Sequence, residues 1–262
     1  MKEQKNKQFA NGAVYALKTD DGFLVEVTDT FLPYYTKDAI GRKQNSLINY
    51  DLGSRKERWL IGVSCMSGCP MGCQFCATAQ MKKWRNLTAQ EIFDQVMFIV
   101  NKHPELDPKD SQEFKINYTR MGEPFLNIEN VKDAIKMINE KLGDKVHHYI
   151  STIGIKGSDF SWIADNVTLQ VSLHSLKAAK RDWLIPVKNK MTIEELGQIR
   201  TKSNLKTTLN MTLVDEDDFD ITALVKHFDK EHFFVKLSPI NKNTISESKH
   251  MGDGIIKGIN II

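Results

Sequence analysis

The sequence predicts an α/β protein, a partial barrel of six β/α units with a small β-hairpin extension in front of it. Three observations point there. From Trp59 onward, short apolar runs of strand length alternate with amphipathic runs of helical period. Two of the helical runs open on capping-box patterns. Polar residues also gather where the strand-like runs end, the edge at which parallel barrels carry their chemistry. A chain of 262 residues with 41% hydrophobic content fills one large domain of this class.

The elements follow in order. Ala13 to Leu17 and Phe23 to Val27 alternate in polarity around the turn Asp20-Asp21-Gly22 and read as a hairpin within an N-terminal β extension, 1–58. The barrel, 59–242, takes strands at Trp59 to Ser64, Phe114 to Thr119, His147 to Thr152, Val167 to His174, Leu205 to Val214 and Phe233 to Ser238. Thr88 with Glu91 and Thr192 with Glu195 begin helices, Asn127 is a further N-cap, and Gly143 stops the helix ending at Lys141-Leu142. The tail, 243–262, is polar and then runs through Gly252-Asp253-Gly254-Ile255-Ile256 without a clear element.

Composition narrows the function classes. All four cysteines lie between Cys65 and Cys76, which argues against a disulfide framework and for a reducing, cytoplasmic setting. Met1 to Lys7 is basic but has no apolar run behind it, and no stretch reaches membrane-spanning length, so a soluble protein without a targeting segment is expected. The net charge of +3, from 36 basic and 33 acidic residues, permits a nucleic-acid partner without requiring one. Any such binding falls to local groups: Lys82-Lys83-Trp84-Arg85, and Lys177, Lys180, Arg181, Lys188 and Lys190.

The strongest chemical signal is Cys69-Pro70-Met71-Gly72-Cys73-Gln74-Phe75-Cys76, whose CxxxCxxC spacing offers three thiolates. On a cube of four irons, three thiolates leave one iron open to a small molecule. Zinc is the alternative, with Cys65 completing a four-thiolate set, although structural zinc sites generally draw their cysteines from two separated pairs. Phe75 either flanks a flat adenine beside the cluster or is a core phenylalanine.

The motif with Phe75 resembles the radical S-adenosylmethionine superfamily, in which the cofactor's methionine end chelates the open iron and is cleaved to a 5′-deoxyadenosyl radical. A closer resemblance runs from Trp59 to Asn241. Cys73-Gln74-Phe75-Cys76-Ala77-Thr78-Ala79-Gln80, Arg85-Asn86-Leu87-Thr88, Glu91-Ile92, Met121-Gly122-Glu123-Pro124, Ser151-Thr152-Ile153-Gly154, Ser172-Leu173-His174 and Pro239 to Asn241 look like the family that methylates adenine at C2 or C8 in ribosomal and transfer RNA. The resemblance implies a 4Fe-4S cluster on Cys69, Cys73 and Cys76, with the cofactor's amino group at Gly122 and Glu123. Its ribose, carboxylate and adenine edges would lie at Ser151, Ser172, Leu173, His174 and Asn241. Taken singly, these residues have plainer readings: Glu123 as a helix-start carboxylate, Ser151 as a strand-end hydroxyl, His174 as a rim histidine and Asn241 as a turn residue. The implied partners are an electron donor such as flavodoxin or ferredoxin and an RNA or nucleotide substrate.

The chain departs from that family at three points. No cysteine follows Cys76 to carry a methyl group, and Gly62 stands where the family's upstream thiol sits, seven residues before Cys69. If Gly62 to Ser64 is extended, Cys65 points to the opposite face and cannot inherit the role. The segment from Gly41 to Ser54 offers Asn45, Asn49 and Asp51 but not the family's general-base glutamate. The 58 residues before Trp59 are also short for the family's RNA-binding helical domain. The expected function is therefore hydrogen abstraction from a substrate without the methyl-cysteine relay. RNA adenine methylation and a non-catalytic zinc module are the alternatives.

Overall fold

A computed structural model describes residues 1–34, 36–37, 43–44, 52–212, 214, 219–238, 240, 243–249 and 251. Pro239 and Asn241, the residues Asn45, Asn49 and Asp51 of the glutamate search over 41–54, and the tail run Gly252 to Ile256 lie outside the described residues. The chain divides into two compact units. The first comprises Met1–Ser67, Leu87–Met121 and Ile128–Tyr149; the second comprises Gly68–Asn86, Gly122–Asn127 and Ile150–Ile262.

In the first unit β1 (Lys2–Phe9), β2 (Gly12–Lys18), β3 (Leu24–Leu32) and β4 (Arg58–Gly62) pair antiparallel in turn. β5 (Glu113–Tyr118) then pairs parallel with β4, setting Trp59 beside Phe114 and Gly62 beside Asn117. The extension thus opens with a three-stranded meander where the sequence predicts a hairpin, and a short antiparallel pair, Thr36–Lys37 with Lys43–Gln44, follows it. β1 escapes the pattern because its side chains are nearly all exposed, so Lys2–Phe9 shows no apolar alternation to read. α1 (Ala89–Asn101) begins at the reciprocal capping box of Thr88 and Glu91 and buries Ile92, Val96 and Ile99. α2 (Ile128–Leu142) starts directly after Asn127 and buries Val131, Ile135 and Ile138. It stops at Gly143, whose φ of +90° is the left-handed turn that ends many helices, with its N–H on the Asn139 carbonyl.

A buried charge cluster binds this unit together. Asp29 on β3 is fully buried and accepts hydrogen bonds from Arg55, from Trp59 Nε1 at 2.8 Å and, on Oδ2, from His103 Nε2 at 2.8 Å. Burial pushes its carboxyl up, but the bonds from Arg55, His103 and Trp59 outweigh this and hold it below the usual carboxylate range.

β6 (His147–Thr152) has its first half in the first unit and its second half in the second. The second unit continues with β7 (Val167–Ser172), β8 (Thr207–Thr212) and β9 (Phe233–Ser238), which pair parallel with Ser172 beside Asn210 and Asn210 beside Lys236. Its helices are α3 (Ala178–Leu184), α4 (Ile193–Gly197), α5 (Ile221–His227) and α6 (Thr244–Ser248). α4 carries the second capping box, Thr192 with Glu195.

Alternation along these strands separates a core face from a polar one. Ile150, Leu169, Val171, Leu209 and Met211 are buried, while Ser151, Gln170, Ser172, Asn210 and Thr212 are half-buried. The six barrel strands form where expected, and β6 and β9 have the expected bounds. β7 ends two residues earlier than expected, at Ser172, because the backbone turns sharply at His174. β4 ends at Gly62, so the strand-parity argument about Cys65 does not apply.

Candidate metal and cofactor site

The cysteine loop lies in the second unit and is shaped by two glycines. Gly68, at φ +71°, approaches Lys83 so closely that a Cβ there would lie 2.5 Å from the Lys83 carbonyl oxygen. Gly72, at φ +65°, turns the chain between the first two cysteines. The Cys76 N–H donates to the Cys73 carbonyl at 3.1 Å, and the Gln74 N–H donates to the Leu184 carbonyl at the end of α3 at 2.9 Å. Together these bonds fold eight residues of loop so that Cys69, Cys73 and Cys76 are all half-buried.

The thiols sense burial and one another. Burial pushes Cys69 up to about 11, with Cys76 and Glu123 adding to the effect. Backbone N–H groups of Met71 and Gly122 bond the Cys69 sulfur and act in the opposite direction. Burial likewise pushes Cys73 up to about 12, reinforced by Cys76, Cys69 and Glu123. Desolvated thiols that would repel one another as anions are a poor arrangement for bare protein. They suit a positively charged, sulfur-seeking iron centre. Among the described residues no three His, Cys, Asp or Glu side chains converge as a single-ion site requires. A four-iron cube takes its thiolates at separate corners, so it fits this donor set better than one zinc ion does. Cys65 belongs to the first unit, is buried, and its thiol lies 3.5 Å from the Met121 carbonyl oxygen.

The residues expected around a cofactor take up specific places. Glu123 is buried; Oε1 accepts from the Phe125 N–H at 3.2 Å and Oε2 from the Ile153 N–H at 2.9 Å. The plain helix-start reading therefore holds, since Glu123 caps the short 3-10 turn Pro124–Leu126. Burial pushes its carboxyl up to about 7 against the bonds from Thr152, Ile153 and Phe125. Gly122, at φ +102°, brings its amide to the Cys69 sulfur. Ser151 Oγ and Ser172 Oγ are 3.3 Å apart on neighbouring strands. Leu173 is fully buried and its N–H donates to the Asn210 carbonyl at 3.0 Å.

His174 is the one non-glycine residue with positive φ, +60°, among the described residues. A bond from the Ser175 N–H to the Leu173 carbonyl closes a tight turn around it, a geometry strained for a residue with a side chain. The strain is held by bonds to β8: the His174 N–H donates to the Asn210 carbonyl, and Nδ1 accepts from the Thr212 N–H at 3.1 Å. Burial, with the charge of Arg181, pushes the imidazole down to about 3, so it is neutral. Its ring meets Phe75 edge to face, centroids 4.8 Å apart. Phe75 and His174, far apart in sequence, thus share one wall of the site.

Three residues of this neighbourhood escaped sequence reading. Asn243 caps α6 and donates from Nδ2 to the Phe75 carbonyl at 3.1 Å, and Lys249 Nζ donates to the Gln74 carbonyl at 3.0 Å, so residues 243–249 are tied to the cysteine loop. The available signal was Asn243-x-x-Ser246, a capping box with serine where glutamate is usual. The third is Arg181. Grouped by sequence with surface cations, it is 2% exposed, sharing a helix face with buried Leu184. Lys190 also leaves the exposed basic group, its side chain paired with Asp182 at 2.7 Å. Lys82, Lys83, Lys177 and Lys188 are exposed, as is Trp84, and Lys180 lies over the exposed ring of Trp183.

No family model matches the sequence. Individual proteins do. A probable dual-specificity RNA methyltransferase RlmN of Desulfitobacterium hafniense is 35% identical over 206 residues, 74% of this chain and 57% of that protein. A protein of the same description from Thermosipho melanesiensis is 37% identical over 191 residues, 68% of this chain and 54% of that one. The chain belongs to the radical S-adenosylmethionine superfamily, as a homologue of the RlmN proteins. It spans a little over half the length of these RlmN relatives. A solved radical SAM methyltransferase from Sphaerobacter thermophilus superposes with a TM-score of 0.68 over 95% of this chain and 72% of its own, at 22% identity, a likeness of fold. Radical SAM methyltransferases of the RlmN kind use a 4Fe-4S cluster and S-adenosylmethionine. No described helix is long and apolar enough to cross a membrane.

Proposed function

We propose that this chain is a radical SAM enzyme that holds a 4Fe-4S cluster on Cys69, Cys73 and Cys76, binds S-adenosylmethionine beside it, and abstracts hydrogen from an RNA or nucleotide substrate without passing a methyl group through its own thiols. The observation that carries the reading is the donor set: three half-buried thiols in one short loop, Cys69 and Cys73 desolvated, with the Gly122 amide on one sulfur and the Glu123 carboxylate acting on two. When bound, the cluster supplies the electron that splits the cofactor's sulfonium into methionine and a 5′-deoxyadenosyl radical.

The chain's own residues would do the rest. Glu123 would accept from the cofactor's ammonium. Ser151 and Ser172 would offer hydroxyls to polar edges, with Asn241 a further candidate. Phe75 and neutral His174 would wall off water, which otherwise competes for a reactive radical. A one-electron donor such as flavodoxin or ferredoxin would supply the reducing equivalent.

Absence of the thiol relay draws support from Gly62, the position of the upstream thiol in the resembling family. A Cβ there would lie 2.4 Å from Thr28 Oγ1 and 2.9 Å from Arg120 Cδ, so the surroundings are built to glycine. RNA adenine methylation is the second reading, favoured by the identity with RlmN proteins. Anaerobic reduction with methyl-labelled cofactor and bulk RNA separates the two. The expected result is 5′-deoxyadenosine without label in RNA; labelled methyladenosine with S-adenosylhomocysteine would establish the second reading instead.

Glu123→Ala tests the cofactor arm. Losing one charge-assisted bond, of about 1.5–3 kcal/mol, should weaken S-adenosylmethionine binding roughly 10- to 150-fold while iron content stays at the wild-type level. Calorimetry and iron assay on the same preparation check this. Loss of iron together with affinity would make Glu123 a purely structural residue.

A further inference from the structure

Arg181 is a buried cation with no carboxylate partner among the described residues. Its Nη2 donates to the Ile153 carbonyl at 2.6 Å and its Nη1 to the Met191 carbonyl at 2.9 Å, while its Nε, also buried, has no partner among the described residues. The adjacent Asp182 is exposed and paired with Lys190. Burying a guanidinium on neutral carbonyls is costly, and anchoring two carbonyls does not by itself call for a full charge.

The position of that charge gives it a use. The last carbonyl of α3, at Leu184, accepts from the Gln74 N–H between Cys73 and Cys76, so the helix bearing Arg181 is pinned to the cysteine loop. Ile153 takes Arg181 on its carbonyl and Glu123 on its N–H, so the cation and the carboxylate grip opposite ends of one residue. A Cys73 thiolate is felt at Arg181, and the charge of Arg181 is felt at His174, the ring that packs on Phe75 of the cysteine loop.

We propose that Arg181 is a positioning residue that sets the reduction potential of a cluster held on Cys69, Cys73 and Cys76. Its fixed cation stabilises the one-electron-reduced, more negative state of the cluster, so the electron is easier to deliver. Net charge and the polar surroundings of the sulfurs are established levers on such potentials, and the effect is strengthened in a desolvated site. The inference rests on the cluster reading above.

The test is an anaerobic redox titration of the reconstituted full chain, followed by the electron paramagnetic resonance signal of the reduced cluster, with iron measured on each sample. Arg181→Met is the neutral variant, and Arg181→Gln, which retains one donor, is a second should the first not fold. Arg181→Lys keeps the charge but loses the fork. The expected result is full iron content in the neutral variants with a clearly more negative potential, and a potential nearer wild type in the lysine variant. Unchanged potential in a neutral variant that holds its cluster overturns the proposal. So does failure of both neutral variants to fold or bind iron while the lysine variant matches wild type, because that pattern marks a structural tie. If the wild-type chain takes up no iron, the cluster reading itself fails, and the iron assay reports that separately.

Discussion

Cys73→Ala should yield a folded but nearly iron-free and colourless protein, whereas anaerobically reconstituted wild type should be brown, with about four irons per chain. Loss of outer-shell partners alone lowers metal affinity about 10- to 100-fold, so loss of a direct thiolate should cost at least roughly 10³-fold in cofactor cleavage. The fold should survive, because removing one small buried thiol costs only about 1–2 kcal/mol. Burial holds Cys73 as a thiol in the absence of metal, so cluster assembly must expel its proton. Cys65→Ala is the informative companion. The Cys65 thiol is buried against the Met121 carbonyl oxygen at 3.5 Å, so its loss should leave iron content unchanged. Stoichiometric zinc in a colourless wild-type protein, lost equally in both variants, would favour the four-cysteine zinc site and sink the cluster reading.

What could be read in advance depended on how local the physics was. The cysteine spacing is a property of eight consecutive residues, and the capping boxes at Thr88 and Thr192 span four each, so sequence alone exposed them. β5 was visible because its buried face places Phe114, Ile116 and Tyr118 at alternate positions. β1 has no buried face and therefore no signature. The His174 turn could not be foreseen, since its strain is sustained by Asn210 and Thr212, which are remote in sequence. Arg181 was misplaced for the opposite reason: arginines are exposed by default, and its bonds to the carbonyls of Ile153 and Met191 leave no mark in the residues around it. Glu123 is a structural cap whose charge also acts on Cys69 and Cys73, a link made by the fold and not by sequence spacing.

Asp29→Ala should be the most destabilising single change in the first unit. It removes the acceptor shared by Arg55, His103 and the Trp59 indole, and leaves the fully buried Trp59 N–H without a partner and the Arg55 guanidinium without its carboxylate. Breaking a buried ion pair from one side costs about 3–5 kcal/mol; Arg55 and His103 retain some solvent contact, so the lower end, roughly 3 kcal/mol, is expected. In a domain of this size that corresponds to a fall in Tm of about 6–12 °C. The pH dependence gives an independent reading. Because the folded-state pKa of Asp29 lies below its unfolded value, its contribution is fully present above the ordinary aspartate range and is lost as pH falls through the lowered folded value. The stability gap between wild type and Asp29→Asn should therefore narrow on acidification, as measured by thermal melts at successive pH values. A gap below about 1 kcal/mol at neutral pH, or one that widens toward acid, would show that the cluster is a packing feature whose charges nearly cancel.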